Sequence, residues 1–166
     1  MNQNESKSLL NQIHEHFPID RRGLNTYSPL TLAYLGDAVY EIIIRTLLVE
    51  DRARTVKLLH SSSSHLVNAA SQAALMLAIE KSLSEKEHTV YKRGRNAKPH
   101  SYAKNAKPQD YRIATGFEAL IGYLYLNGQM ERCLVLIKQG LSAIKPNQSK
   151  SGSPRQSAQS RKISET

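Results

Sequence analysis

Leu32-Ala-Tyr-Leu-Gly-Asp-Ala-Val-Tyr-Glu41 is the stretch on which the reading of this chain turns. It lies in an apolar run from Pro29 to Val49 whose only charged residues are Asp37, Glu41 and Arg45. Ser28-Pro29 just before it is a helix-start signal, because serine caps the free N–H groups and proline has none to leave unpaired. A helix over 29–49 is apolar almost all round, which predicts a place at the centre of the fold. Gly36 costs such a helix about 1 kcal/mol relative to alanine and is better explained as a point where another backbone comes close. Asp37 needs a partner, since an ionised carboxylate among apolar neighbours is costly unless a metal ion, a cation or a hydrogen-bond donor meets it. A capping or salt-bridged aspartate is the plainer reading, and the other segments have to decide.

On either side the pattern is helical. Leu9, Leu10, Ile13 and Phe17 recur at helical spacing over residues 5–17, and Pro18 closes that segment. His14 and His16, two apart, do not share a helix face and make no metal site. Residues 52–81 read as a long helical region with a stripe of Val56, Leu59, Leu66, Val67, Ala70, Ala73, Ala74 and Leu77, broken or kinked at Ser61-Ser-Ser-Ser64. Ser84-Glu-Lys-Glu87 is a capping box opening a further helix through Tyr91. Residues 110–127 form a second apolar helix in which Glu118 is the only acid past the first turn, with Gly116 and Gly122 beside it. Asn127-Gly128 is a turn, and 131–144 a last amphipathic helix. The fold class is therefore all-α, a helical bundle.

Charge is unevenly distributed. Of a net +9 over 166 residues, 92–107 carries +6 with no acid, 145–166 carries +4, and the remainder nets −1. A nearly neutral body with two basic appendages suits a polyanionic partner. Lys92, Arg93, Arg95, Asn96, Lys98, Lys104 and Lys107, in a stretch containing Pro99 and Pro108, read as an exposed loop able to contact phosphates and sugar hydroxyls. A single cysteine, Cys133, excludes an intrachain disulfide and a cysteine-rich zinc site. No transmembrane run and no secretion-signal pattern is read, so the expected location is cytoplasmic, with no membrane partner.

Two apolar helices thus each carry one acid, Asp37 and Glu118, each near glycines. If they pack at those glycines, the carboxylates face each other, and hard cations such as Mg²⁺ are held by one or two carboxylates plus waters and phosphate oxygens. No Gly-rich phosphate loop, nucleophile elbow or zinc ligand pattern offers a competing chemistry.

Leu35-Gly-Asp-Ala38 followed far downstream by Phe117-Glu-Ala-Leu-Ile-Gly122 resembles the catalytic domain of ribonuclease III. The decamer, Lys92-Arg-Gly-Arg-Asn-Ala-Lys98 and Tyr111-Arg112 ahead of Phe117-Glu118 are similar, more closely, to its Mini-ribonuclease III branch, which lacks a separate double-stranded-RNA-binding domain. The resemblance covers residues 25–145. It divides the chain into an N-terminal helical extension (1–24), the catalytic domain (25–145) and a basic tail (146–166) whose composition cannot build a core.

The resemblance implies a homodimeric, magnesium-dependent endoribonuclease that cuts double-stranded RNA to 5′-phosphate and 3′-hydroxyl ends. It implies that Asp37 and Glu118 are the catalytic, metal-binding acids, and that the substrate is the large-subunit ribosomal RNA precursor, with a ribosomal protein as a further candidate partner. Two acids usual in the wider family are missing, their positions being Ala33 and Thr115. Glu41, one turn after Asp37, is a candidate outer-shell acid, with a salt bridge to Arg45 as the competing role. A non-catalytic duplex-RNA-binding or ribosome-assembly protein, having lost half its acids, is the alternative. A helical DNA-binding protein is a third reading, disfavoured because the basic residues do not form a recognition helix.

Overall fold

The computed structural model describes residues 7–50, 56–98 and 107–144, with backbone alone for 56–61. Among the described residues seven α-helices follow one another: α1 (Leu9–His16), α2 (Pro29–Glu50), α3 (Val56–Val67), α4 (Ala69–Ile79), α5 (Glu85–Arg95), α6 (Pro108–Leu126) and α7 (Met130–Ile144). Among the described residues there is no strand, and no helix is long and apolar enough to cross a membrane. Residues 51–55, where the expected helical region 52–81 begins, residues 99–106 of the expected basic loop, with Lys104, and residues 145–166, with the expected tail, lie outside the described residues.

The centre belongs to α6. Every residue from Ile113 to Tyr125 is buried except Glu118, because α2, α4, α5 and α7 all pack around this one helix. The sequence places α2 at the centre instead, and the reason it is not there is one-sided cover. Leu32, Val39, Tyr40, Ile44 and Leu48 are buried, whereas Tyr34 is 85% and Ile42 60% exposed, with Leu47 and Val49 also exposed. Within one chain α2 therefore keeps an apolar outer face. Its inner face is fixed by Tyr40, whose ring meets Phe117 edge-on at 5.1 Å and whose hydroxyl donates to the Leu66 carbonyl at 3.0 Å. The helix starts as its sequence dictates, with Ser28 Oγ accepting from the Thr31 N–H at 3.0 Å.

Glycines set how close the helices come. A Cβ on Gly36 would land on the backbone carbonyl of Glu118, and one on Gly122 on the carbonyl of Leu32, so α2 and α6 touch backbone to backbone at two reciprocal points. Gly94 of α5 sits in the same way against Ala119 and Gly116. Gly128 has φ +71°, the left-handed turn that lets α6 reverse into α7.

The serine run does not break a helix: residues 61–64 lie inside α3, and the break falls at Asn68, which caps α4 by accepting from the Ser71 N–H at 2.9 Å. The buried face of α4 is Gln72, Ala73, Leu75, Met76 and Ile79, while Leu77 of the expected stripe is 56% exposed.

The capping box at Ser84 and Glu87 is formed, and Glu87 does more than cap. Its buried carboxylate accepts from Arg132 Nε at 2.8 Å and Nη2 at 2.9 Å, a two-pronged bridge tying α5 to α7. The Arg132 hydrogen bond holds the Glu87 carboxyl below the usual glutamate range, against the smaller opposing effect of burial. Stability from this pair is present above the ordinary glutamate pKa and is lost as pH falls through the depressed folded value. Arg132→Ala is expected to cost about 2–3 kcal/mol at neutral pH and to flatten the decline of Tm between pH 5 and 3, as followed by circular dichroism.

Candidate active site

Asp37 follows Gly36 directly, and Glu118 supplies the carbonyl on which Gly36 rests. The backbone contact of α2 with α6 thus places the two acids side by side, each half-buried. They share a cavity of about 510 Å³ lined by Leu30, Tyr34, Leu35, Ala38 and Tyr111 as well as the acids. Ala33 and Thr115, where the wider ribonuclease III pattern has its other two acids, line this same cavity. The Thr115 hydroxyl donates to the Tyr111 carbonyl at 2.9 Å. Among the described residues no group of three or more His, Cys, Asp or Glu side chains gathers anywhere, so the donor set here is a pair.

The pair is electrostatically strained. Burial pushes Glu118 up to about 8, and the neighbouring Asp37 charge adds to the shift. Asp37 is also raised, by burial first and then by Glu41. The two carboxyls titrate as a coupled pair, in which the Asp37 charge favours the proton on Glu118. A pair of carboxylates that repel each other at an open cavity suits a hard divalent cation, which needs one or two such oxygens and brings its own waters.

One contributor was not legible in the sequence. Gln72 on α4 is 2% exposed, and its amide lies close enough to both carboxylates to favour their ionised forms. The sequence stripe points to other α4 positions; only the polar residue amid the Ala-Leu-Met run was a signal. Glu41 is engaged by Arg45, whose Nε and Nη2 donate to one carboxylate oxygen at 3.0 and 2.7 Å.

The basic stretch is partly helix. Lys92, Arg93 and Arg95 form the last turn of α5, where cations complement the helix dipole, and Asn96 ends the helix. Helix persists beyond Tyr91 because Gly94 docks on α6. Lys92, Arg93, Lys98 and Lys107 are exposed, and Arg95 lies over the Tyr91 ring at 5.5 Å. None of these lines the acid cavity. Arg95 and Asn96 instead line a neighbouring groove of about 400 Å³ with Gln109 and Arg112.

The ribonuclease III domain family matches residues 30–129, and the chain belongs to that family: it is an endoribonuclease. Within the family it is similar to Mini-ribonuclease 3 of Enterococcus faecalis, 52% identical over 110 residues that cover 65% of this chain and 83% of the relative. Mini-ribonuclease 3 of Clostridium tetani is 48% identical, over 71% of this chain and 79% of the relative. A solved crystal structure of a protein from Fusobacterium nucleatum has the same fold, with TM-score 0.67 and 28% identity over 74% of this chain and 98% of that one. Enzymes of this family cut double-stranded RNA and generally depend on a divalent metal.

Proposed function

We propose that this endoribonuclease uses Asp37 and Glu118 as its catalytic, metal-binding acids, with Mg²⁺ as the ion and the large-subunit ribosomal RNA precursor as the natural substrate. The observation that carries this reading is the convergence of the two acids on one cavity, close enough for their charges to repel. When bound, the ion supplies Lewis-acid polarisation of a phosphodiester and a water of lowered pKa. The chain's own part is to hold that arrangement. Asp37 would hold the ion as a direct ligand, and Glu118 would be a second ligand or the group that orients a metal-bound water. Leu30, Leu35 and Tyr34 give the open cavity an apolar rim beside these charges.

Lys92, Arg93, Arg95, Asn96, Lys98, Lys104 and Lys107 grip the phosphates of the duplex. Such binding reads shape and falls steeply with salt. Glu41, tied to Arg45, acts from the outer shell. The apolar outer face of α2 supports a homodimer, since a face carrying Tyr34, Ile42, Leu47 and Val49 is stabilised by a second copy. A precursor ribosomal RNA as substrate places the enzyme in the cytoplasm, where a ribosomal protein could accompany it. Residues 25–145 act as the catalytic domain, with 1–24 as an extension and 146–166 as a basic tail.

The test compares wild type with Asp37→Asn on a structured precursor RNA, with Mg²⁺ and with a chelator. Wild type is expected to cleave only with Mg²⁺, and Asp37→Asn to bind the RNA while losing cleavage by about 10³-fold. Equal, negligible cleavage by both proteins with intact binding would instead establish the non-catalytic RNA-binding protein.

A further inference from the structure

We propose that Gln72 is the third member of the site, a positioning residue whose buried amide spans Asp37 and Glu118 and sets which of their oxygens face the cavity. The proposal rests on the reading of those two acids as the catalytic pair. Three observations converge on it. Gln72 is 2% exposed on the face of α4 that packs on α6, among Ala73, Leu75, Met76 and Ile79, where an apolar side chain would serve packing equally well. Its Nε2 group is buried without a hydrogen-bond partner of ordinary geometry, and a buried donor left unpaired costs about 1–3 kcal/mol. The charged groups within reach of its side chain are the two carboxylates of the pair.

An amide NH₂ has two hydrogens, enough for one directed at each acid. Chemistry also explains why the residue is neutral. A lysine or arginine in this place would neutralise the acids and compete with a cation, and a third acid would add repulsion to a pair already strained. A glutamine holds inward-facing oxygens without occupying the charge, leaving the outward oxygens for the ion. With Ala33 and Thr115 contributing no carboxylate, the alignment of the remaining two falls to this donor.

The test is Gln72→Met, which keeps the side-chain length and removes the donor, examined in the full chain. Mn²⁺ affinity, measured without RNA by electron paramagnetic resonance, is expected to weaken by about tenfold. Cleavage should fall by a similar factor at limiting Mg²⁺ and recover at saturating Mg²⁺, with duplex RNA binding in chelator unchanged. Mn²⁺ affinity and Mg²⁺ dependence equal to wild type would overturn the proposal. If Gln72→Met does not fold, Gln72→Glu decides: a third carboxylate facing the pair makes the gain in Tm on adding Mg²⁺ at pH 8 larger than in wild type, whereas an equal gain overturns the assignment. Failure of the nuclease reading shows separately, as absence of cleavage by wild type, and the Mn²⁺ comparison still judges Gln72.

Discussion

Glu118→Gln is expected to abolish cleavage and, in the same protein, to raise metal-free stability at pH 8. The two effects have one cause. The carboxyl is held up to about 8 in the folded chain by burial and by the Asp37 charge, whereas in the unfolded chain it titrates at the ordinary glutamate value, near 4.3. Between those two values the folded state binds a proton that the unfolded state does not, so stability falls as pH rises across the interval and levels off above it. The penalty at pH 8 is on the order of 4–5 kcal/mol. An amide cannot ionise, so Glu118→Gln is expected to show no such decline and a Tm several degrees higher at pH 8, while cleavage falls by about 10³-fold. Adding Mg²⁺ to wild type at pH 8 should recover much of the difference and leave the variant nearly unmoved. Thermal melts from pH 5 to 9, with and without Mg²⁺, read all of this. A variant no more stable than wild type at pH 8 would remove the electrostatic strain from the site. The Glu87–Arg132 pair acts in the opposite direction and below this range, so metal-free wild type is expected to be most stable near pH 5.

Gly36→Ala should have the largest effect on the fold. The added methyl meets the Glu118 carbonyl carbon and the Gly122 amide nitrogen, each 2.7 Å from the new Cβ, besides the Glu118 oxygen. These are backbone atoms of a buried helix and cannot rotate away. Alanine gains about 1 kcal/mol of helix propensity, which does not offset an overpacking cost of about 3 kcal/mol or more. The expected result is a Tm lower by about 10 °C, with cleavage falling further than stability because the two acids are moved apart. Gly23→Ala is the control, since nothing lies within 4 Å of the new Cβ there. A Gly36→Ala protein that melts and cleaves like wild type would mean that α2 and α6 do not meet in this way.

Much of this was open to reading from residues. Capping chemistry marks the starts of α2 and α5 because it is local, and the apolar runs of α2 and α6 are long enough to leave no other assignment. The acid pair was legible because a charge in an apolar helix demands a partner and only two helices carried the mismatch. What could not be read depends on which neighbour covers which face. The centrality of α6 over α2 follows from four helices packing on one and leaving Tyr34 and Ile42 outside. Gln72 was hidden by an Ala-rich helix that is apolar in most directions, so that no period singles out its buried side. Lys92 to Arg95 stay helical because Gly94 fits against Gly116 and Ala119, a contact across more than twenty residues of chain that no local pattern encodes.

The reciprocal seating of Gly36 and Gly122 has a consequence for how this enzyme can change. Main chain has no rotamers, so the gap between the two acids is machined by the parts of the protein with the least play. Leu30, Tyr34 and Ala38 around the rim of the cavity can be exchanged to reshape what enters it while that gap is kept. Libraries built on those rim positions should therefore yield altered cleavage preferences far more often than libraries that include either seat.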